Sequence, residues 1–178
     1  VGASNPEEFI SYAARVSNPS NQNNYDTAEG LLKYCIRNKH FSIFEMVNAV
    51  VEVKAPRDIT RQMLRHRSFS FQEFSQRYSD EIEFCDREVR MQDKTNRQNS
   101  ISIDDFYNGP NQFVRDCWDE DVKEIVELVK EHFKDQRKIG VAKEVARVLL
   151  PEGLTLSTLY ANGTLRSWMH YLEIREGH

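Results

Sequence analysis

The chain has 178 residues and a formal net charge of −4, enough length to bury one ordinary core and too acidic a balance to hold nucleic acid through an overall field. No apolar run reaches the length of a membrane span, and Val1-Gly2-Ala3-Ser4 does not open like a secretory signal. Three cysteines, Cys35, Cys85 and Cys117, are odd in number and far apart, which argues against a disulfide framework and fits a reducing cytoplasm.

Asn5-Pro6-Glu7-Glu8 predicts a helix start, with a capping residue, Pro at the first position and acids in the first turn; Phe9, Ile10, Ala13 and Ala14 follow at helical spacing. Ser17 to Tyr25 is rich in Asn, Ser and Pro and reads as a loop. Asp26 with Glu29 predicts a capping box for a second helix that turns Leu31, Leu32, Cys35 and Ile36 inward. The Val-rich run from Met46 to Lys54 reads as a strand, and Pro56 opens a short helix through Met63 and Leu64. Alternate aromatics make Ser68 to Tyr78 an extended loop or strand, and Glu81 to Met91 reads as another strand.

Asn96 to Pro110 is polar and reads as irregular. A long helix is expected from about Asn111 to about Gln136, with Phe113, Cys117, Val122, Ile125, Val129 and Phe133 on its inner stripe. Gly140 breaks it, a shorter helix carries Val141 to Leu149, and Pro151 ends that one. Leu154 to Tyr160 reads as a strand and Thr164 to Ile174 as a last helix. The expected fold is α+β: a single domain over residues 1–178, a mainly antiparallel sheet packed against helices, one of them long. With no initiator Met and an end at His178 inside a helical pattern, both termini are expected to be trimmed or disordered in the parent protein.

The densest polar cluster runs Arg65-His66-Arg67-Ser68-Phe69-Ser70-Phe71-Gln72-Glu73-Phe74-Ser75-Gln76-Arg77-Tyr78, behind Arg61 and Gln62. Gln62 and Arg65 are three apart and share a helix face, whereas Arg67 points elsewhere, so two sides can serve two ligands. Planar guanidiniums beside hydroxyls and an amide suit phosphate. On composition alone a solvated basic turn, paired with Glu73 and nearby acids, explains the same residues. Their order shifts the balance. Arg65-His66-Arg67, then seven residues, then Ser75, with Glu73 two before it and Arg77 two after, resembles the signature of the flavin-dependent thymidylate synthases.

The resemblance covers nearly the whole chain. It includes Tyr12-Ala13-Ala14-Arg15-Val16-Ser17, His40-Phe41-Ser42-Ile43-Phe44-Glu45, Ala146-Arg147 before Leu150-Pro151, and the segment Arg166 to Arg175. Gln72-Glu73 and Asn96-Arg97-Gln98-Asn99-Ser100 are most similar to viral and phage members. The chain departs from the family at Gln72, where Asn is commonest, and at Thr164, where many members have Asn. Asn162 stands two residues before Thr164, so either side chain could make that FAD contact. It also stops three residues after Arg175, where the family continues.

The resemblance implies reductive methylation of dUMP to dTMP without an enzyme nucleophile. FAD is the cofactor, NADPH the reductant and methylenetetrahydrofolate the one-carbon donor. FAD would contact Ser42, Arg65, His66, Arg67, Glu73, Thr164, Arg166 and His170. Gln62, Arg65, Glu73, Ser75, Arg77, Arg147 and Arg175 would hold dUMP, with Arg175 the catalytic, activating residue. The family is a homotetramer with sites shared between subunits. The implied location is the cytoplasm (the host's, for a virus), with no nucleic-acid or membrane partner.

The remaining residues are read more plainly. Cys35 and Cys117 sit on apolar stripes and are expected in the core, without the setting of an activated thiolate. His132 is expected in solvent. His40 and His66 lack a second ligand at metal spacing, so no metal site is expected. Asp104-Asp105 and Asp119-Glu120-Asp121 read as a helix start and a solvated face. At least one of Phe69, Phe71 and Phe74 is expected in the core. Ser75 has no adjacent base and suits hydrogen bonding to phosphate better than nucleophilic attack. No Gly-x-Gly-x-x-Gly is present, so a flavin would need a site of another type. Two readings compete: a nucleotide- or RNA-binding module stacking bases on Phe69 and Phe71, and a flavoprotein of the same fold acting on another pyrimidine nucleotide.

Overall fold

The computed structural model describes residues 4–176. In chain order its elements are α1 (Pro6–Ala14), α2 (Ala28–Arg37), β1 (Asn48–Pro56), α3 (Arg57–Leu64), β2 (Ser70–Glu73), β3 (Arg90–Gln92), β4 (Ser100–Ser102), α4 (Ile103–Tyr107), α5 (Gln112–Lys138), α6 (Lys143–Ala146), β5 (Leu156–Thr164) and α7 (Leu165–Glu173). Short 3-10 turns at Pro19–Asn21, Phe41–Glu45 and Arg147–Leu149 complete the set. The strands form one sheet in the order β1-β5-β2 and an antiparallel pair β3-β4, in register Arg90 to Ser102 and Gln92 to Ser100. The α+β class and the long helix follow the expectation.

Local chemistry explains most boundaries. Asn5 caps α1 by accepting from the Glu8 N–H at 2.9 Å. Asn111 caps α5 in the same way, and Thr164 caps α7 by accepting from the Ser167 N–H. Gly140, at φ +93°, supplies the left-handed turn after α5.

The contacts divide the chain into two compact units, with the chain crossing between them inside β1, β2 and β5 and at the last residue of α3. Among the described residues the first takes residues 4–53, Leu64–Gln72 and residues 160–176. Its core is Ile10, Cys35 and Phe44, packed by Leu31, Leu32, Val47 and Met169. The second takes Lys54–Met63 and Glu73–Leu159, with Phe133, Ala146 and Leu150 at its core against Ile82, Phe84, Val129 and Val141.

Several expectations need correction. The capping box at Asp26 and Glu29 does not form. Thr27 holds the cap position of α2 without a capping bond, its hydroxyl accepting from Arg15 Nη2 at 2.8 Å, while Glu29 pairs with Lys33. Glu81 to Met91 is not one strand. Only Phe84 bridges to Thr155; beyond it the Arg87 carbonyl accepts from the Trp118 indole, and pairing resumes only at Arg90. Asn96 to Pro110 is not irregular: it holds β4 and α4, capped by Ser102. Asp93 makes the preceding turn, taking N–H donors from Thr95 and Asn96 and the Asn99 amide, and those bonds hold its carboxyl far below the usual range.

The largest correction concerns α5. Of the expected inner stripe only Phe133 is buried; Phe113 is 75% exposed, and Cys117 and Ile125 are also exposed. The helix carries two apolar stripes, and this chain covers the one with Val122, Val129 and Phe133. Cys117 is therefore a surface thiol rather than a core residue.

Candidate active site

In the first unit, Gly163 lies against Phe69. A Cβ at Gly163 would stand 2.5 Å from Phe69 Cε1 and closer still to Cδ1. The missing side chain lets the Phe69 ring settle beside β5. Phe69 is buried, as expected of at least one of the three aromatics, and stacks at 4.3 Å between ring centroids on Trp168 of α7. His66 joins this cluster, 4.5 Å from Phe69, 5.4 Å from Tyr171 and 5.8 Å from His170. Its Nε2 is buried with no hydrogen-bond partner, as is Oδ1 of Asn162 on β5. Burial first, then the charges of His170 and Arg175, push the His66 pKa down. The ring is therefore neutral at pH 7 and can accept or donate one hydrogen bond.

A cavity of about 780 Å³ opens beside this cluster, lined by Ile36, Phe41 and Met169 on its apolar side and by Lys39, Arg166 and His170, with the carboxylates of Glu45 and Glu173, on its polar side. Arg166 forms an ion pair with Glu45, which belongs to the same 3-10 turn as the exposed Ser42. The Thr164 hydroxyl, spent on capping α7, also shares a hydrogen bond with Ser167 Oγ at 3.1 Å. Arg65 and Arg67 are exposed on either side of His66. Arg175 follows α7 and lies over the Tyr171 ring, 5.5 Å from its centroid. The donor set fits a large, flat, anionic group: cations and hydroxyls for phosphates, apolar and aromatic surface for rings, and two buried polar atoms still to be satisfied.

In the second unit, α3 carries the exposed Gln62. Glu73, at the end of β2, accepts at Oε1 from Ser157 Oγ at 3.0 Å and Thr60 Oγ1 at 3.4 Å, both hydroxyls being buried. The chain then turns. Ser75 Oγ accepts from the Arg77 N–H at 3.4 Å, and the Tyr78 N–H donates to the Ser75 carbonyl. Arg77 Nη2 pairs with the Glu144 carboxylate at 2.8 Å, and Arg147 Nε donates to the Glu144 carbonyl at 3.1 Å. Ser75, Arg77 and Arg147 are thereby brought together. Arg147 also lines a cavity of about 280 Å³ with Arg57, Arg61, Gln76 and Glu152. Three guanidiniums, Arg57, Arg61 and Arg147, line that cavity with one carboxylate, Glu152, which pairs with Arg61, leaving an excess of positive charge suited to an anion.

Sequence reasoning passed over Arg57, Gln76, Lys39 and the Arg166 partner Glu45. Gln76 had a signal, since it stands between two residues already singled out; Lys39, at φ +59°, had none. Cys35 is buried and desolvation raises its thiol pKa; burial does the same at Cys85. Neither is poised as a thiolate. Among the described residues no cluster of three His, Cys, Asp or Glu could hold a metal ion, and no helix is long and apolar enough to cross a membrane.

The comparisons with known proteins agree with one another. A family model described as "Thymidylate synthase complementing protein" matches residues 1–178. The probable flavin-dependent thymidylate synthase of Paramecium bursaria Chlorella virus 1 is 46% identical over 178 residues, covering 98% of this chain and 78% of that protein. The flavin-dependent thymidylate synthase of a Synechocystis species is 44% identical over 171 residues, 96% of this chain and 75% of its own. The crystal structure of the UMP/dUMP methylase PolB of Streptomyces cacaoi, bound with 5-Br dUMP, superposes with a TM-score of 0.72 at 31% identity, covering 93% of this chain and 71% of that one.

Proposed function

The chain belongs to the flavin-dependent thymidylate synthase family, and from that premise we propose how its own residues divide the work of methylating dUMP. The activity is that of a thymidylate synthase with FAD as cofactor. We read residues 1–178 as one catalytic domain, because the family match spans all of it. We assign FAD to Ser42, Arg65, His66, Arg67, Glu73, Thr164, Arg166 and His170. The orphaned His66 Nε2 and Asn162 Oδ1 support this assignment and add Asn162 as a candidate contact beside Thr164, whose hydroxyl is already bonded. Bound there and reduced, the flavin would supply the hydride that completes the new methyl group. NADPH is the source of reducing equivalents and methylenetetrahydrofolate the one-carbon donor.

The substrate is held by its phosphate on Ser75, Arg77 and Arg147, and by its base on Gln62, Arg65, Glu73 and Arg175. The observation that carries this reading is the convergence of Arg77 and Arg147 on Glu144. A guanidinium has five donors, so Arg77 can keep Glu144 and still fork onto a phosphate. Chemistry at the base needs charge rather than an enzyme nucleophile. Uracil C5 is a poor nucleophile until negative charge can spread onto the ring oxygens, and a guanidinium on the O2/N3 edge would stabilise that charge before C5 forms its new carbon–carbon bond. Arg175, which follows α7 and lies over the Tyr171 ring, suits that role. The raised thiol pKa values of Cys35 and Cys85 support a route without a cysteine nucleophile.

We further propose a homotetramer with sites shared between subunits, supported by the exposed Phe113, Ile125 and Leu128 of α5. Purified protein should be yellow and release FAD on denaturation. It should form dTMP from dUMP only with methylenetetrahydrofolate and NADPH present; a flavin-loaded protein that makes no dTMP under those conditions sinks the reading. A second reading, UMP as an additional substrate, is favoured by the solved structures of the UMP/dUMP methylase with 5-Br UMP as well as 5-Br dUMP. Parallel assays with dUMP and UMP separate the two.

A further inference from the structure

We propose that Arg57 is a positioning residue for the nucleotide phosphate, acting through Gln76 on the loop that carries Ser75 and Arg77. The proposal rests on the assignment of Ser75, Arg77 and Arg147 to the phosphate. Arg57 is the first residue of α3, and its place is fixed by the backbone: its N–H donates to the Thr155 carbonyl at 3.0 Å, and the Asp58 N–H donates to the Glu152 carbonyl at 3.3 Å. From there Arg57 Nη1 donates to Gln76 Oε1 at 2.6 Å. A guanidinium can only donate, so this contact also settles which amide atom faces it. The donor is charged, which makes it a stronger tether than a bond between neutral groups.

The tether matters because of what lies on either side of it. Gln76 is only 6% exposed, whereas the Arg77 side chain next to it is 55% exposed. The Gln76 amide is the inward peg of a tight turn closed by Tyr78 N–H on the Ser75 carbonyl and anchored at its entrance by Phe74 N–H on the Thr158 carbonyl at 2.8 Å. With the peg held, the same turn presents the exposed Arg77 side chain and keeps the Ser75 hydroxyl at the Arg77 N–H. Released, a buried amide would lack a partner and would turn toward water, rotating both neighbours with it. Arg57 also lines the same cavity as Gln76 and Arg147, so its charge adds to the field at the phosphate while its hydrogen bond sets the loop.

The test is steady-state kinetics on the full FAD-loaded enzyme with Arg57→Met, Gln76→Leu, the double variant and Arg57→Lys. Arg57→Met and Gln76→Leu should each raise KM for dUMP about tenfold, the equivalent of about 1.4 kcal/mol. The kcat should stay within about threefold and bound FAD should be unchanged. The double variant should be no worse than the poorer single one, because both break one contact. Arg57→Lys, which keeps a charged donor, should fall between parent and Arg57→Met. Unchanged KM, or a loss of kcat and FAD in step with KM, overturns the proposal. If Arg57→Met fails to fold, Arg57→Lys and Gln76→Leu carry the same comparison. Arg147→Ala is run beside them: if it leaves KM for dUMP unchanged, the phosphate assignment itself has failed, and not merely the role of Arg57.

Discussion

Individual side chains carry the chemistry, and Arg175 is the sharpest case. The Arg175→Ala variant should abolish methyl transfer while FAD stays bound and reducible by NADPH. Arg175→Lys should be badly impaired too, since an ammonium cannot copy a planar fork on the uracil edge. Removing one preorganised donor costs about 3 kcal/mol, on the order of a hundredfold in rate. If Arg175 were only a cation at the end of α7, Arg175→Lys would be nearly silent. Paired assays of flavin reduction and dTMP formation at saturating dUMP decide between them. His66 makes a different prediction. Its folded pKa lies below the unfolded value of about 6.5, because burial disfavours the charged ring. The unfolded chain therefore binds more protons, and stability is lost as pH falls through about 6.5. His66→Phe should remove that part of the slope between pH 7.5 and 5.5, leave the melting temperature at pH 7.5 equal or higher, and weaken FAD binding. A slope unchanged in the variant would assign the effect to other groups.

Among the elements, β5 and α7 meet at Gly163 and Thr164, and the geometry there is tight. Gly163→Ala puts a methyl group into the Phe69 ring. Overpacking of this kind costs about 1–3 kcal/mol, so thermal melting of the FAD-free protein should fall measurably and FAD affinity with it, since Phe69 sits between His66 and Trp168. A variant with parent stability would show that the ring can move aside. The same junction shows how legible elements were. Helices with a side-chain cap at Asn5, Asn111 or Thr164 were placed within a residue or two, because a cap is local chemistry. Glu81 to Met91 reads as one strand and does not form one, because a strand exists only where a partner offers backbone groups. Beyond Phe84 that offer comes from a Trp118 side chain instead.

For the molecule as a whole, the unburied face of α5 points to self-association. Phe113, Ile125 and Leu128 are exposed in the single chain, together with Val148 at 81%. Light scattering of the FAD-loaded protein should give the mass of a tetramer, and Ile125→Glu with Leu128→Glu should lower it. A stable, flavin-loaded monomer of the parent protein would overturn the homotetramer and the shared sites with it.

By itself the sequence determined the α+β class, the long helix and the family, because these rest on local periodicity, caps and an ordered string of side chains such as Arg65 to Arg77. It also identified Cys35 as a core thiol, on a stripe of α2 that packs with Leu31 and Leu32, whereas Ile36, expected inward with them, is exposed. Only the tertiary structure decided which stripe of α5 is covered, because both have helical period and burial is settled by what packs against them. Likewise only the fold put Arg57 against Gln76, nineteen residues apart, and Arg77 beside Arg147 at Glu144. Such meetings depend on where the backbone turns, and no spacing along the chain encodes them.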